Sequence, residues 1–557
     1  MVEILLEDEG HKVALRSHYD PKIIERAKAI PGYRWDKERR MWVWPETAAA
    51  TVLAAFCEAQ VDPRLIELVQ MRRRGTEDAQ RFAEGEVPDI AFPIRVHPGR
   101  TLFAHQRRMA GMALSMPAYA FFAEMRTGKT LATIAAAGRA YLDGRIASML
   151  VVCPTSVMYV WQREFEEWAD FPYEIRVLDH DSVAKKRAAL SLPWQQGTLH
   201  IAVINFESTW RMIESLQSFA CGQLVVVDES HRIKDARTRQ AKAIHKLGEL
   251  ASWRLILTGT PITQNPLDAF SQYLFLDPTI FGRSFVNFRN RYAVVNGYRV
   301  SRWKNMDEFR RKAHSIAFRI RRDECWDVPD EIDETVEVRL SPKTGSIYAN
   351  VRALSVAELS SGKVTAANIL TKLLRLQQIA GGFATTDDGE VVQVGSEKID
   401  ITRDLLTDIL ADHGRKVVVF ARFLPEIAAL AQALRDAGIP AVAMIGETPI
   451  RERADMVHQF AADGGPRVFV AQIATGGLGI DLSRADTTIF LSCDWSLATM
   501  QQARARILGS GQMSKKVSYL NIVAKGTVDA KILRALEAKQ DLAATIVDTW
   551  REVLREE

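Results

Sequence analysis

The chain has 557 residues, of which 47% are hydrophobic and 25% are charged. This composition excludes a collagen-like, low-complexity or wholly disordered protein. Lys and Arg number 73 and Asp and Glu 69, and the resulting net charge of +4 excludes a histone-like polycation. Any contact with nucleic acid must therefore come from local basic surface, and the length predicts about three or four folding units.

Cysteine usage and the N-terminus indicate the compartment. The five cysteines are scattered singly and form no Cys-x-x-Cys pair, which favours a reducing environment and excludes a structural zinc site. The residues MVEILLEDEG are acidic where a secretory signal is basic, and Pro154 interrupts the most apolar stretch. We therefore expect a cytoplasmic protein that does not enter a membrane.

Residues 1–91 predict a small accessory module. They contain the aromatic and basic block IPGYRWDKERRMWVWPE, then a helical run, and then the polar stretch RRRGTEDAQRFAEGEVPD. The polar stretch has the composition of a linker, so the module is expected to end there.

Two later regions alternate apolar strands with helices. Residues 92–282 contain ASMLVVCPTS, LHIAVINFE, QLVVVDESH and WRLILTGTP, and residues 395–557 contain RKVVVFAR, PRVFVAQIATGG and ADTTIFLSCD. Such alternation is what a parallel sheet covered on both faces requires. Residues 283–394 are charged and helical. The predicted fold class is α/β, with two parallel-sheet lobes, a helical insertion between them and a small N-terminal α+β module.

The segment AEMRTGKT, from Ala123 to Thr130, lies between an apolar run and a helical pattern. A Gly-Lys-Thr turn at the start of a helix presents backbone N–H groups, an ammonium and a hydroxyl to phosphates and Mg²⁺. Thr127, Gly128, Lys129 and Thr130 are therefore predicted to bind a nucleotide, with Thr130 also on the metal. Ala123 occupies the position of the usual first glycine, so a chance Gly-Lys-Thr remains the alternative for this segment alone.

Asp228 and Glu229 follow a buried apolar strand in VVVDESHRIKD. Two adjacent carboxylates at the end of such a strand need a cation or hydrogen bonds. We predict that Asp228 holds Mg²⁺ and that Glu229 orients or deprotonates the attacking water. The alternative is a solvated pair, which the Gly-Lys-Thr turn about a hundred residues upstream disfavours.

The ordered series from AEMRTGKT through VVVDESHRIKD and VFVAQIATGGLGIDLS to QQARARILGSGQ resembles the motifs of helicase superfamily two. Within it, the chain is most similar to the Swi/Snf family of DNA-dependent ATPases, over roughly residues 102–548. The resemblance implies two RecA-like lobes, ATP with Mg²⁺ as the nucleotide, and double-stranded or branched DNA as the partner.

The resemblance also implies roles for single residues. Gln106 matches the glutamine that reads adenine, and Gly479 and Asp481 match nucleotide-facing positions. A further set matches segments that contact nucleic acid or couple to it: Pro154, Thr155, Ser156, Thr258, Thr475 and Gly476. For Gln106 the alternative is a surface glutamine.

The last motif departs from the family pattern. Relatives have two arginines three residues apart, which aim at one face of a helix. Here Arg506 matches the first, a catalytic residue, while Gly509 stands at the second position. Arg504 and Arg506 are two residues apart and point away from each other, so Arg504 is a poor substitute.

The N-terminal block resembles the DNA-binding HARP module of annealing helicases. Its tryptophans and arginines can stack on bases and pair with phosphates. The alternative is a β-hairpin in which Trp42 and Trp44 form the module's own core.

The expected function is an ATP-dependent translocase on double-stranded DNA that acts as a monomer, in a bacterial or viral context. Lys129, Thr130, Asp228 and Arg506 are expected to hold Mg·ATP. One alternative is a nucleotide-gated DNA clamp with impaired hydrolysis, because of Gly509. Another is a fork-remodelling or annealing helicase in DNA repair, because of the N-terminal block.

Overall fold

The computed structural model describes residues 2–7, 12–97, 101–259, 261–262, 265–296, 299–325, 329–360, 366–386, 389–474, 480–509 and 512–548. The chain forms two compact units: the second comprises Trp326–Asp541, and the first comprises the residues before Trp326 together with those from Leu542. Within the described ranges, no helix has both the length and the apolar character needed to cross a membrane.

The first unit begins with a small α+β module, as predicted. Its elements are β1 (Glu3–Glu7), β2 (Lys12–Arg16), α1 (Pro21–Ala29), β3 (Arg34–Asp36), β4 (Met41–Pro45), α2 (Ala49–Ala55), β5 (Gln60–Val61) and α3 (Pro63–Glu84). The five strands form one sheet in the order β3-β4-β2-β1-β5. Alternation along β4 places Trp42 and Trp44 together in the core of the module.

The structure differs from the predicted linker, because its sequence lies mostly within α3. Asp62 caps this helix by accepting a hydrogen bond from the backbone of Arg64, and Pro63 occupies its first turn. Leu65 packs in the module's core, whereas Ala79 and Phe82 pack in the core of the following lobe. The polar composition of the stretch obscured this helical spacing of small and apolar residues.

A parallel sheet with helices forms the rest of the first unit. Its elements up to β10 are α4 (Ala104–Ser115), β6 (Ala118–Ala123), α5 (Lys129–Leu142), β7 (Ser148–Cys153), α6 (Met158–Trp168), β8 (Tyr173–Val177), α7 (Val183–Ser191), β9 (Leu199–Asn205), α8 (Phe206–Thr209), α9 (Ile213–Ala220) and β10 (Leu224–Asp228). They are followed by α10 (Arg239–Gly248), β11 (Trp253–Leu257), α11 (Ala269–Leu276), α12 (Pro278–Phe281), α13 (Phe285–Tyr292), β12 (Ala293–Asn296), β13 (Arg299–Trp303), α14 (Met306–His314) and β14 (Ala317–Ile320). Seven strands, all parallel, have the order β14-β6-β11-β10-β7-β9-β8.

The second unit contains the other predicted parallel sheet. Its elements up to α18 are β15 (Asp330–Val338), α15 (Pro342–Ser360), α16 (Ala366–Ala380), β16 (Phe383–Thr385), β17 (Val391–Gln393), α17 (Glu397–Ile409), β18 (Val417–Ala421) and α18 (Leu424–Asp436). They are followed by β19 (Ala441–Met444), α19 (Ile450–Ala461), β20 (Val468–Gln472), β21 (Thr487–Phe490), α20 (Leu497–Arg504), β22 (Lys516–Ala524) and α21 (Val528–Asp548). Six parallel strands have the order β15-β22-β21-β18-β20-β19. The predicted α/β class with two parallel-sheet lobes is thereby confirmed.

The structure also differs from the helical insertion predicted over residues 283–394. β14 is an edge strand of the first sheet, and β15 is an edge strand of the second. β14 has only four residues, and β15 has the acidic sequence DEIDETVEV with most side chains exposed or half-buried. Neither shows the long apolar run by which the inner strands were recognised.

Helices α3 and α4 approach each other closely at a glycine. A Cβ atom on Gly75 would lie 2.2 Å from the carbonyl oxygen of Ser115, the last residue of α4. This atom belongs to the backbone, so a rotamer change cannot relieve the overlap. The contact therefore requires glycine at this position of α3.

We expect Gly75→Ala to weaken the packing of α3 on α4, although alanine is the better helix former by about 1 kcal/mol. The overlap should lower the free energy of unfolding of this region by about 1–3 kcal/mol. Amide hydrogen exchange of residues 63–84 and 104–115 measures this local effect.

Gly345→Ala in α15 is the matched control, because nothing lies within 4 Å of the position that its Cβ would occupy. This variant should be neutral or slightly stabilised. Equal protection of α3 in Gly75→Ala and in the parent chain would contradict the packing account.

Candidate functional site

The predicted phosphate-binding turn joins β6 to α5. Gly128 lies at the N-terminal end of α5 with a φ of 80°. Its backbone conformation favours glycine, and a Cβ atom there would lie 2.0 Å from the side-chain nitrogen of Gln106, so a larger residue would displace this amide. Gln106 is only 5% exposed, and its Oε1 accepts a hydrogen bond of 3.0 Å from the backbone N–H of Phe103. The structure thus places Gln106 beside the turn rather than at the surface.

Lys129 and its neighbours hold the turn in place. The Lys129 ammonium donates hydrogen bonds to the carbonyl oxygens of Ala123 at 2.6 Å and Glu124 at 2.9 Å. The Thr127 hydroxyl donates to the Glu124 carbonyl oxygen at 2.8 Å, and Thr130 lies in the first turn of α5. Burial lowers the pKa of the Lys129 ammonium, while the charges of Glu229 and Asp228 oppose that shift.

Asp228 is a buried carboxylate at the carboxyl end of β10. Its two oxygens accept hydrogen bonds from the Trp161 indole N–H at 3.0 Å and from the backbone N–H of Glu229 at 2.9 Å. Burial and the charge of Glu229 raise the pKa of Asp228 to about 6, and Lys129 acts in the opposite direction. This side chain therefore titrates closer to neutrality than an ordinary aspartate.

Glu229 follows directly in a left-handed backbone conformation with a φ of 53°. This conformation is unusual for a residue other than glycine and is often found at functional sites. Its carboxylate lies 3.3 Å from Nδ1 of His231. The electrostatic influence of Glu229 on both Lys129 and Asp228 places the predicted catalytic groups of the first unit in one cluster.

Thr258 follows β11, which lies between β6 and β10 in the sheet. Its backbone N–H donates to the Phe121 carbonyl oxygen at 3.1 Å, and its hydroxyl lies 3.5 Å from Nδ1 of His231. The side chain is fully buried. Thr258 was predicted among the nucleic-acid residues, and the structure instead places it in the interior beside the carboxylates.

The other nucleic-acid residues predicted in the first unit follow β7. Thr155 is exposed, and its hydroxyl accepts a hydrogen bond of 3.0 Å from the Asn205 side chain. Pro154 is buried and Ser156 is half-buried. Thr155 is therefore the most accessible of the three.

In the second unit, the backbone brings Asp481 and Arg506 close together. The N–H of Leu482, next to Asp481, donates to the carbonyl oxygen of Arg506 at 3.0 Å. Asp481 is exposed and accepts a hydrogen bond from the backbone N–H of Ser483 at 3.0 Å. Thr475, Gly476 and Gly479 lie outside the described residues.

Arg504 is held away from any catalytic role by partners within its own unit. Its guanidinium binds Asp333 at 2.8 Å and Glu331 at 2.9 Å, both on β15, and it lies 3.7 Å from the ring centroid of Tyr519. A guanidinium with two carboxylates and an aromatic ring is engaged on every side. This agrees with the prediction that Arg504 does not replace the arginine missing at Gly509.

Two contacts around the site were missed by the sequence analysis. The first is Trp161, whose spacing with Met158, Phe165 and Trp168 on α6 is that of a core face. The second is Glu124, whose carboxylate lies 3.2 Å from a guanidinium nitrogen of Arg319 and also binds Arg322. Burial alone would raise the pKa of Glu124, but the two arginines outweigh it and lower that pKa.

The donor set suits a nucleotide with Mg²⁺. Thr130 and Asp228 offer oxygen ligands, which Mg²⁺ prefers, and the metal usually takes only one or two carboxylates beside substrate phosphates. In the described part of the chain, no cluster of three or more His, Cys, Asp or Glu residues suited to a metal is found. A parallel sheet with a Gly-Lys-Thr turn at one strand end and a carboxylate pair at another is typical of phosphate-loop ATPases.

Comparison with known protein families identifies two domains in the chain. The SNF2-related domain matches residues 105–381, and the helicase conserved C-terminal domain matches residues 397–510. The chain belongs to the SNF2-related family of helicase-like ATPases.

Curated relatives share about a quarter of the aligned residues. An uncharacterized ATP-dependent helicase of Mycoplasma pneumoniae is 25% identical over 430 residues, which are 76% of this chain and 40% of that protein. The DNA annealing helicase and endonuclease ZRANB3 of Mus musculus is 25% identical, covering 78% of this chain and 39% of its own length. A SWI/SNF-related regulator of chromatin, subfamily A-like protein 1, of Xenopus tropicalis is 24% identical, covering 94% of this chain and 53% of its own length. The chain thus spans about half or less of the length of these relatives.

We expect Trp161→Phe to move the acid limb of the pH profile of ATP hydrolysis to higher pH. Loss of the indole N–H removes a hydrogen bond that favours the charged form of Asp228, so its pKa should rise further above about 6. A hydrogen bond to a charged group is worth about 1.5–3 kcal/mol, which corresponds to a shift of about one unit or more. The dependence of kcat/KM on pH measures the pKa in the free enzyme.

Trp168→Phe on the same helix is the control, because Trp168 is also buried in the core cluster and its ring packs against His97, whereas the Trp161 indole donates to Asp228. Its acid limb should coincide with that of the parent chain. The Asp228 assignment fails if both variants give the same profile.

Proposed function

We propose that this chain is an ATP-dependent motor that moves along double-stranded DNA. The observation that carries the proposal is the cluster of Lys129, Asp228 and Glu229 at the ends of β6 and β10, within a SNF2-related domain. The names of two relatives, an ATP-dependent helicase and a DNA annealing helicase, support the same activity.

The turn between β6 and α5 would bind the phosphates of ATP. The backbone N–H groups at the start of α5 and the Lys129 ammonium would supply positive charge, and the Gln106 amide, which lies beside this turn, would read adenine. Thr130 and Asp228 would hold Mg²⁺, which neutralises charge on the phosphates when bound. In exchange for the phosphates, Lys129 would release the carbonyl oxygens of Ala123 and Glu124.

Glu229 would act on the attacking water. Its left-handed backbone projects the carboxylate from the end of β10, next to His231 and within the field of Lys129. A carboxylate can accept a proton from water or orient it for attack on the terminal phosphorus. We propose Arg506 as the catalytic arginine of the last motif and Asp481 and Gly479 as nucleotide-binding residues, the roles that the resemblance to the helicase motifs implies.

DNA contact is proposed for the segments that follow the parallel strands. Thr155 and Ser156 in the first unit and Thr475 in the second have small hydroxyl side chains, and Gly476 has no side chain, which suits phosphate contacts. Thr258 would link the two activities from the interior, because it contacts His231 beside Glu229. A nucleotide-dependent change at Glu229 can reach Thr258 through this histidine.

The clamp alternative with impaired hydrolysis gains no support from the relatives, whose names describe helicases. Gly509 leaves one arginine position of the last motif empty, and Arg504 does not fill it. We therefore propose that Arg506 is the one arginine of the last motif that stabilises negative charge on the phosphates of ATP.

The decisive experiment measures ATP hydrolysis by the chain with and without duplex DNA. We expect duplex DNA to stimulate turnover, and Glu229→Gln to lower the stimulated rate by about 10²- to 10⁴-fold, the usual contribution of a general base. Binding of ATP should persist in this variant, because the carboxamide keeps the shape of the side chain.

RNA of the same length is the control that shows whether stimulation of ATP hydrolysis is specific to duplex DNA. A rate that responds to RNA and not to duplex DNA would refute the proposed substrate. A rate close to zero in all conditions, with tight binding of ATP and DNA, would favour the clamp.

A second candidate function is preference for branched DNA, which the N-terminal module favours. Trp42 and Trp44 are core residues, but Trp35 on β3 is 43% exposed and the neighbouring Tyr33 is 39% exposed. Trp35 packs on Trp42 with ring centroids 5.0 Å apart, which fixes its exposed face. The exposed ring of Trp35 therefore offers a surface on which a base can stack.

We expect Trp35→Ala to weaken binding of a forked DNA by about tenfold, since stacking of one base is worth about 1–3 kcal/mol. Tyr19→Ala is the matched control, because Tyr19 is an 84% exposed aromatic residue of the same module. Fluorescence anisotropy with forked and linear duplexes measures the effect. Parent-like affinity of Trp35→Ala for both DNAs would remove the module from DNA recognition.

A further inference from the structure

A cavity of about 40 Å³ lies within the first unit, between the N-terminal module and the first lobe. Its polar lining comes from both sides and consists of Lys12, Arg34, Glu46, Glu249, Arg254 and Arg283. A cavity needs about 10–15 Å³ of space to hold one water molecule. At about 40 Å³, this cavity has room for a group about three times the size of a water molecule.

Arg254 is the unusual member of this lining. It lies on β11 and is only 5% exposed. Its guanidinium makes one long hydrogen bond, from Nη1 to the Gly248 carbonyl oxygen at 3.4 Å, and its Nε has no hydrogen-bond partner among the described residues. A buried cation is costly unless it is paired, so the environment of Arg254 calls for an anion.

The neighbouring carboxylates are already engaged with other groups. Glu249 binds Arg283 at 2.6 Å and lies 3.9 Å from Arg34. Glu46 binds Arg72 at 2.5 Å. Within the described chain, no carboxylate oxygen lies within 4.0 Å of the Arg254 guanidinium, and Arg254 remains uncompensated at close range.

Asp277 is also close enough to act electrostatically on Arg254, but it forms no ion pair with it within 4.0 Å, and one of its oxygens, Oδ1, is held by two neutral donors. It accepts hydrogen bonds from the Thr47 hydroxyl at 2.9 Å and from the backbone N–H of Thr279 at 2.8 Å. Burial lowers the pKa of Arg254, and the charges of Asp277 and Glu46 oppose that shift from a distance. Arginine remains charged at neutral pH in spite of such shifts.

We propose that this cavity binds a phosphate-class oxyanion, with Arg254 as its buried contact and Arg34 and Arg283 at its rim. A guanidinium offers several N–H donors in a fixed plane, which match the oxygens of a tetrahedral anion. The two rim arginines are partly exposed, with 56% and 31% of their side chains accessible, so that an anion has a route from solvent.

This oxyanion site is separate from the nucleotide site, because Lys129 and the carboxylate pair do not line the cavity. The same chemistry can come from two sources, free orthophosphate or a phosphate group of a nucleic-acid strand. In either case, one phosphate group would contact arginines of both the N-terminal module and the first lobe.

The test uses the full chain and orthophosphate as the probe. Thermal unfolding is followed with increasing potassium phosphate, with potassium chloride at matched ionic strength as the reference. We expect phosphate to raise the melting temperature of the parent chain and of Lys129→Ala. Arg254→Met, which keeps the volume and removes the charge, should bind phosphate about ten- to a hundredfold more weakly.

A second arm distinguishes the sources. Binding of a fluorescent duplex without ATP is measured for the parent chain and Arg254→Met, with and without phosphate. If a strand phosphate occupies the cavity, the variant binds the duplex more weakly and phosphate competes in the parent chain only. If duplex binding is equal in both chains and only the phosphate response differs, the ligand is the free anion.

The proposal is overturned if Arg254→Met responds to both phosphate and duplex as the parent chain does. It is equally overturned if neither probe affects the parent chain. Should Arg254→Met fail to fold, Arg34→Gln at the rim takes its place, and parent-like responses of that variant to both probes refute the site. A response that disappears only in Lys129→Ala assigns the phosphate to the nucleotide site and also overturns the proposal.

Discussion

Two adjacent carboxylates at the end of an inner strand are the constraint on which the rest of the first unit depends. Asp228 ends β10 in the middle of a parallel sheet and is buried, and Glu229 follows it with 14% of its side chain exposed, so water screens their charge poorly. The order of the strands places a positive charge near these carboxylates. The Lys129 turn follows β6, which lies two strands away from β10, and Thr258 follows β11, which lies between β6 and β10. Trp161 then contributes a hydrogen bond from the helix that covers this part of the sheet. The parallel sheet therefore brings together the residues for which a catalytic role is proposed.

The sequence predicted most of this cluster because local signals marked it. Lys129 lies in a turn with a recognisable pattern, and Asp228 interrupts an apolar run with charge. The contact of Trp161 with Asp228 was not predicted, because the sequence shows that this indole lies on a core face of its helix but not which group its N–H binds. Glu124 and Arg319 are separated by about two hundred residues, and only the sheet pairing of β6 with β14 brings them together.

Edge strands and polar helices were the parts of the fold that sequence patterns missed. Inner strands of a parallel sheet are apolar on both faces, whereas β15 at the edge has five acidic residues, all exposed, two of which bind Arg504. Helix α3 has a polar composition and is fixed by a few small and apolar residues instead. Arg254 had no sequence signal, because its burial follows from the packing of the module against the lobe.

Helix α3 belongs to two cores, since Leu65 packs in the module and Phe82 packs in the lobe. Its close contact with α4 at Gly75 fixes the angle and distance between them. In evolutionary terms, recombination near residue 91 is not expected to replace the N-terminal module with an unrelated one while leaving the lobe intact. A breakpoint there would join an unrelated helix to a lobe surface shaped for a glycine, so the module and the lobe are expected to be inherited together.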